Sequence, residues 1–358
     1  MKFEKIALPD SQVFNGREFP VALRLVKDPA TQPAAVHEFL KEKAKSGYFN
    51  KLLEDHGAII FQNLGGSDPD SFAQFIKIIG IYSGDEFFEQ NGTVAQRTEI
   101  NDVLSTANEG PSSRTLYQHN EFSRFIKYPK KLFFACSEFD AEGGETPLVH
   151  GGKLFNDVFE KDPDFISLLS KKGLYLRQTW PLVSNNKTSW SDRFCFGRDL
   201  DLEKDSLEVK KQKAEKLVAE TVSKDYEWDQ KDNLVVHQHT SPIRIYKRTD
   251  GESFPTFFNS IATFYGDMKY SHDGHKKTDA LKFDSDQDDM SKEALDNILE
   301  SSINISYKHK WVKGDLALVD NYQVSHGRLP WEGHRKILVS MWDTPSKDEF
   351  EVWQSSST

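Results

Sequence analysis

The feature that most constrains this chain is a succession of short apolar stretches, rich in β-branched and aromatic residues, cut apart by Pro and Gly. TLYQHNEF, KLFFACSEF and TPLVH fall between about residues 114 and 150, separated by Pro129 and by Gly143-Gly144; NLVVHQH, PIRIYKR, TFFNSI, DLALVD and RKILVSMW follow. Stretches of this length bounded by turn residues read as strands. So many of them, with helices in the intervals, predict a mainly β fold with flanking helices, an antiparallel barrel or jelly roll. No repeat at a fixed period is present.

Flanking segments fill in the rest. Residues 1 to about 25 mix charge, Pro and Gly without a sustained period, as an arm lying over a domain does. From Pro33 to Leu53 the apolar positions fall at helical spacing, and HGAIIFQNLGG then reads as a strand closed by Gly65 and Gly66. A helix starting near Asp68 or Asp70 carries Phe72, Phe75 and Ile76 on one face. The 26 Phe residues are spread along the 358-residue chain, which favours one core over residues 26–358. A charged insert at about 266–302 interrupts the strands: a loop, HDGHKKTDALKFDSDQDD, then a helix, KEALDNILESS. Asp284, Asp286 and Asp288 match the first ligand positions of a calcium loop. However, Asp289 stands where a Gly is needed and Leu295 where a bidentate Glu is needed, so the segment reads as a solvated acidic loop.

Composition narrows the function. With 46 Lys plus Arg against 56 Asp plus Glu, the net charge is -10, which works against a nucleic-acid partner. Cys136 and Cys195 are too few for a disulfide framework, and MKFEKIALPDSQ lacks the apolar core of a signal peptide, which together suggest a reducing cytoplasm. No apolar run approaches the roughly 20 residues that span a bilayer, so no membrane partner is expected.

Two pieces carry chemistry. In TLYQHNEF, His119 and Glu121 lie two apart in a strand-like stretch, so an imidazole and a carboxylate project to the same face. Far downstream, in DNYQVSHGR, a strand delivers His326 beside Gly327 and Arg328. Two histidines and one carboxylate make the facial triad of non-haem iron(II) oxygenases, which leaves metal positions open. The same three groups could also hold zinc in a hydrolase. A rival metal pair, His237 and His239, is likewise two apart but has no carboxylate at matching spacing.

HNE, then GGETPLV, then DNYQVSHGR followed by Arg335, together with STANEGP and FFNSI, resembles the taurine dioxygenase and clavaminate synthase-like superfamily from about Gly57 to Trp342, and especially its eukaryotic clavaminate synthase-like members. The resemblance implies a double-stranded β-helix (jelly roll) carrying Fe(II) on His119, Glu121 and His326, with 2-oxoglutarate as co-substrate and O2 as oxidant. It implies that Thr146 hydrogen-bonds 2-oxoglutarate and that Arg335 pairs with its distal carboxylate, a task suited to a planar guanidinium. Many relatives carry a second arginine about four residues later, where this chain has Val339; Arg328 is the alternative anchor. The implied reaction is oxidation of an unactivated C–H bond, by hydroxylation, desaturation or oxidative cyclisation. Halogenation is disfavoured, because family halogenases replace the carboxylate that Glu121 supplies.

Strand parity places Thr115 and Tyr117 on the face of His119 and Glu121 as substrate contacts, with Asn108, Trp180 and Asn259 suggested by motif neighbourhood. A few polar groups among aromatics suit a small polar metabolite such as an amino acid, whose carboxylate Arg114, Arg193 or Arg328 could meet. A barrel kept for binding alone is the non-enzymatic alternative.

Overall fold

The computed structural model describes residues 1–93, 97–107, 110–183, 188–270, 281–345 and 350–355. An eight-stranded sheet runs in the order Lys2–Ile6, Val21–Val26, Ala58–Gln62, Leu316–Asp320, Lys131–Gly143, Trp331–Asp343 and Glu86–Phe87, with Ser105–Thr106 also pairing to Trp331–Asp343. A four-stranded sheet holds Tyr307–His309, Thr146–His150, Val324–Arg328 and Leu116–His119 in that order. Among the described residues three further sheets, of four, three and two strands, lie outside this pair, the first of them built on Leu174–Trp180 and Leu234–Thr240. The fold is thus mainly β with helices, as the strand count predicts.

Alternation sorts the side chains of the large sheet. Phe134, Cys136, Ala317, Val319, Ile337 and Val339 point to one side and share a core with Leu148 and Val324 of the four-stranded sheet. Phe133, Ala135, Leu316, Leu318 and Leu338 point to the other and pack against Val36, Leu40, Phe72 and Ile76 of the helical layer. Both faces are covered, which is why these strands read as continuous apolar runs.

The helical layer follows local rules. Asp68 caps the helix Pro69–Tyr82, its carboxylate accepting from the Asp70 and Ser71 N–H groups at 3.1 and 2.9 Å. Gly80 lets that helix close on Trp342, since a Cβ there would sit 2.6 Å from the indole. The helical spacing from Pro33 to Leu53 becomes two helices, Pro33–Lys45 and Tyr48–His56, because Gly47 takes φ +75° between them.

Two expectations change. Residues 1–25 are not an overlying arm: Lys2–Ile6 pairs antiparallel with Val21–Val26, which pairs parallel with Ala58–Gln62. The charged residues Lys2, Glu4 and Lys5 of an exposed edge strand hide the strand pattern in the sequence. The 266–302 stretch is not wholly an insert either. Leu281–Phe283 joins Leu174–Trp180 as an edge strand, Lys292–Asn304 is the expected helix, and residues 271–280 of the charged loop lie outside the described residues. Asp286 and Asp288 pair with Lys172, and Asp284 with His239, as ordinary surface ion pairs. Cys136 and Cys195 are both free and buried. Among the described residues no helix is long and apolar enough to cross a membrane.

His150, at the end of its strand, caps the helix Gly151–Lys161 by accepting the Gly152 N–H at 3.2 Å, and it lies against Phe14 at 4.2 Å. Burial, then the charge of Arg248, pushes its pKa down to about 3. The folded value is below the unfolded one, so this stabilisation is complete above about pH 6.5 and is lost as pH falls toward 3. His150→Asn keeps a cap acceptor and loses the titration. Between pH 6.5 and 4 its unfolding free energy, followed by urea titration, is expected to fall by about 3 kcal/mol less than wild type. Parallel pH dependences would refute this.

Candidate metal centre

Antiparallel pairing of Leu116–His119 with Val324–Arg328 puts His326 opposite His119, with ring centroids 4.4 Å apart. Glu121 follows just past the strand end, its Oε2 lying 3.6 Å from His119 Nε2 and 3.5 Å from His326 Nε2. One ligand atom from each residue lies within 4.8 Å of the others. His119 Nδ1 sits 3.0 Å from the Tyr117 carbonyl, which fixes the proton on that nitrogen and leaves the Nε2 lone pair facing Glu121. Burial, then the neighbouring His119, pushes His326 down to about 4, so it is a neutral donor near pH 7. Burial alone would raise the Glu121 pKa, but the two adjacent imidazoles and the charge of Arg97 hold it well below the usual range. Two imidazoles and a carboxylate on one side of an open space are the donor set a divalent metal requires.

The Glu121 backbone is clamped by a residue that the sequence reading passed over. Asn321 Oδ1 accepts the Glu121 N–H at 2.7 Å, while its Nδ2 donates to the carbonyls of Glu121 at 3.0 Å and Pro129 at 2.8 Å. Asn120 adds a bond to the Asn321 carbonyl at 2.8 Å. The next residue, Phe122, is held at φ +53°, where a bulky side chain is strained. The clamp therefore fixes the direction of the carboxylate.

The cavity beside the triad is lined by Thr146, Arg328, Arg335, Phe134 and Val339, among others. Arg335 donates through Nε to the Gly144 carbonyl at 2.8 Å and through Nη2 to Thr146 Oγ1 at 3.4 Å. The GGET motif explains this closeness. Gly143 and Gly144 take φ +75° and +72°, and a Cβ on Gly144 would lie 2.8 Å from Arg335 Cδ. Thr146 Oγ1 also accepts the Trp311 indole N–H at 2.9 Å. With both lone pairs occupied, its own proton is left to donate. Burial, then the charge of Arg328, pulls Arg335 down to about 9. Both guanidiniums stack on Trp331, at 4.7 Å for Arg328 and 5.3 Å for Arg335. Arg328 spends its Nη2 on the carbonyls of Pro111 and Arg114, at 3.1 and 3.2 Å.

The parity argument for the pocket fails at a bulge. His326 faces His119 but Arg328 faces Leu116, so the Leu116–His119 strand carries one extra residue and its alternation shifts. Leu116 lines the cavity, whereas Tyr117 turns to the helix Ile261–Tyr270 and stacks on Tyr270 at 5.8 Å. Thr115 lies outside the lining. Trp180 is core, packed on Phe196, and Asn259 caps the Ile261–Tyr270 helix through the Ile261 N–H at 3.0 Å. Asn108 lies outside the described residues. Arg193 is exposed and paired with Glu99. His239 is bonded to Asp225 and Asp284, and His237 to Tyr175; among the described residues only His119, Glu121 and His326 form a metal-capable group. One lining residue carries no sequence signal at all: Arg97, whose Nη2 lies 3.4 Å from Glu121 Oε1.

A mainly β scaffold that presents two histidines and a carboxylate to a cavity with buried arginines defines a candidate metal-dependent enzyme. The chain belongs to the taurine catabolism dioxygenase TauD/TfdA family, whose model matches residues 28–342. It is 24% identical to a clavaminate synthase-like protein of Arabidopsis thaliana over 343 residues, covering 93% of this chain and 96% of that one. It is 23% identical to the dapdiamide synthesis protein DdaC of Enterobacter agglomerans over 331 residues, 89% and 92% of the two chains. The crystal structure of AAD-2 with Mn(II) and N-oxalylglycine shares the fold, with a TM-score of 0.50 at 12% identity, covering 99% of this chain and 100% of that one.

Asn321→Ala leaves the Glu121 N–H buried without an acceptor and frees the strained turn. A stability loss of about 1 to 3 kcal/mol and a weakening of divalent-metal affinity of about 10- to 100-fold are expected. Thermal melts and calorimetric metal titration measure both. Metal affinity within twofold of wild type would show that Glu121 does not depend on the clamp.

Proposed function

We propose that this protein is an Fe(II)- and 2-oxoglutarate-dependent oxygenase that oxidises an unactivated C–H bond of a small polar metabolite, with hydroxylation as the default outcome. The observation that carries the reading is the shared cavity: the His119, Glu121 and His326 group and the Arg335 and Thr146 pair line one space. On this reading the eight- and four-stranded sheets are the two halves of a double-stranded β-helix. Iron held by the three ligands would activate O2, the oxidant, at the expense of 2-oxoglutarate, and the protein supplies placement.

His119 and His326 would give nitrogen donors and Glu121 a charged oxygen to the metal, and such a set leaves room for co-substrate and O2. Arg335 pairs with the distal carboxylate of 2-oxoglutarate, and Thr146 donates its hydroxyl proton to the same group. Trp331 holds the Arg335 guanidinium in plane from one side. Phe134, Ile337 and Val339 keep water from the chelating end. A zinc hydrolase using the same three ligands leaves the buried Arg335 and Thr146 pair without a task.

Anaerobic titration of the Fe(II) protein with 2-oxoglutarate, followed by visible spectroscopy, tests the reading. A weak charge-transfer band is expected in wild type and is lost in His119→Ala, Glu121→Ala and His326→Ala. No band in the iron-loaded wild type would overturn the proposal. In the same titration Arg335→Ala is expected to raise the half-saturating 2-oxoglutarate concentration by one to several orders of magnitude, since a buried charge-assisted contact is worth roughly 2 to 5 kcal/mol. An unchanged midpoint would move the anchor to Arg328.

A further inference from the structure

We propose that Arg97 is the docking point for a carboxylate of the primary substrate, beside the metal ligand Glu121 and apart from the Trp331 stack that holds Arg328 and Arg335. The inference rests on the oxygenase reading above and names the substrate class that this site selects.

Three features point there. Arg97 lines the cavity and is largely buried, yet its Nε and Nη1 have no hydrogen-bond partner among the described residues. Among the described residues its one polar contact is the long 3.4 Å approach of Nη2 to Glu121 Oε1. A buried guanidinium with unmet donors is costly, and an incoming oxyanion removes that cost. Second, Glu121 is a poor permanent partner, because its other oxygen faces both histidines and its charge is drawn to whatever cation they hold. Third, charge is unbalanced: among the described residues Arg97, Arg328 and Arg335 line the cavity with one carboxylate, Glu121, and only Glu145 adds a negative charge, acting on Arg335 from outside the lining. A divalent metal adds two positive charges and a 2-oxoglutarate dianion cancels only those two. The positive surplus remains.

The surplus is divided in space. Arg328 and Arg335 share the face of Trp331, whereas Arg97 lies against Glu121. A dicarboxylate that chelates the metal and reaches Arg335 uses one end; Arg97 is left for a second anion. Ala107, Leu116 and Phe134 supply apolar walls near the metal, which suits a carboxylate on an aliphatic skeleton. Such a ligand would be held by its charged end with saturated carbons facing the metal.

Calorimetry on protein loaded with Mn(II) and N-oxalylglycine tests this without turnover. The probes are straight-chain acids from acetate to hexanoate and the amino acids L-alanine to L-norleucine, each paired with its primary amide. In wild type at least one carboxylate should bind about tenfold or more tightly than its amide. Arg97→Met should erase that preference, Arg97→Lys should keep part of it, and N-oxalylglycine affinity at saturating metal should stay within about threefold of wild type. The proposal is overturned if no carboxylate binds wild type, if amides match acids, or if Arg97→Met keeps the preference. It is also overturned if Arg97→Met weakens N-oxalylglycine as much as the probe, because Arg97 would then serve the co-substrate. Failure of wild type to bind Mn(II) and N-oxalylglycine would sink the oxygenase reading instead.

Discussion

The site depends on one cross-strand pairing. His119 and His326 are more than 200 residues apart in sequence, and only the register of Leu116–His119 against Val324–Arg328 sets their rings side by side. Asn321, on the turn that feeds the second strand, reaches across the same gap to hold the main chain of Glu121. The three ligands are thus placed by backbone pairing and one amide, with little left to side-chain rotamers. The strained φ of Phe122 is tolerated because this clamp over-determines it.

Electrostatics follows from that placement. Arg335 and Arg328 are buried beside each other on Trp331, with Arg335 depressed to about 9, a condition that favours an anionic ligand over an empty cavity. Thr146 is turned into a donor by Trp311, a residue on neither sheet, so the chemistry of the threonine is decided by a neighbour 165 positions away. The glycine turn before Thr146 exists for the same purpose, to let the arginine come close.

Much of this was legible in the sequence. The strand runs and the capped helix at Asp68 follow from period and turn chemistry, which are local properties, while the resemblance points to His119, Glu121, Thr146, His326 and Arg335, which line one cavity. What could not be read was non-local. A bulge between paired strands shifted the face of Tyr117, and no single-strand period reports a bulge. Arg97 sits in QRTEI with no pattern around it, and only the folded chain brings it to Glu121. Asn321, in the DNYQ turn, offered a fainter signal: a short amide just before a strand that ends in a ligand, readable as a turn former and nothing more.

The opening strands have a consequence for association. Ala58, Ile59, Ile60 and Phe61 are each fully buried, covered on both faces and flanked in the sheet by Leu316–Asp320 on one side and Val21–Val26 on the other. The outermost strand, Lys2–Ile6, ends the sheet with Lys2, Glu4 and Lys5, whose charges discourage another strand from adding there. A chain trimmed of its first 26 residues would present the bare edge of an apolar strand, with unpaired N–H and C=O groups, as a template for chain-to-chain β pairing. The segment that looks most dispensable in the sequence is therefore the one that closes this sheet edge to a further strand.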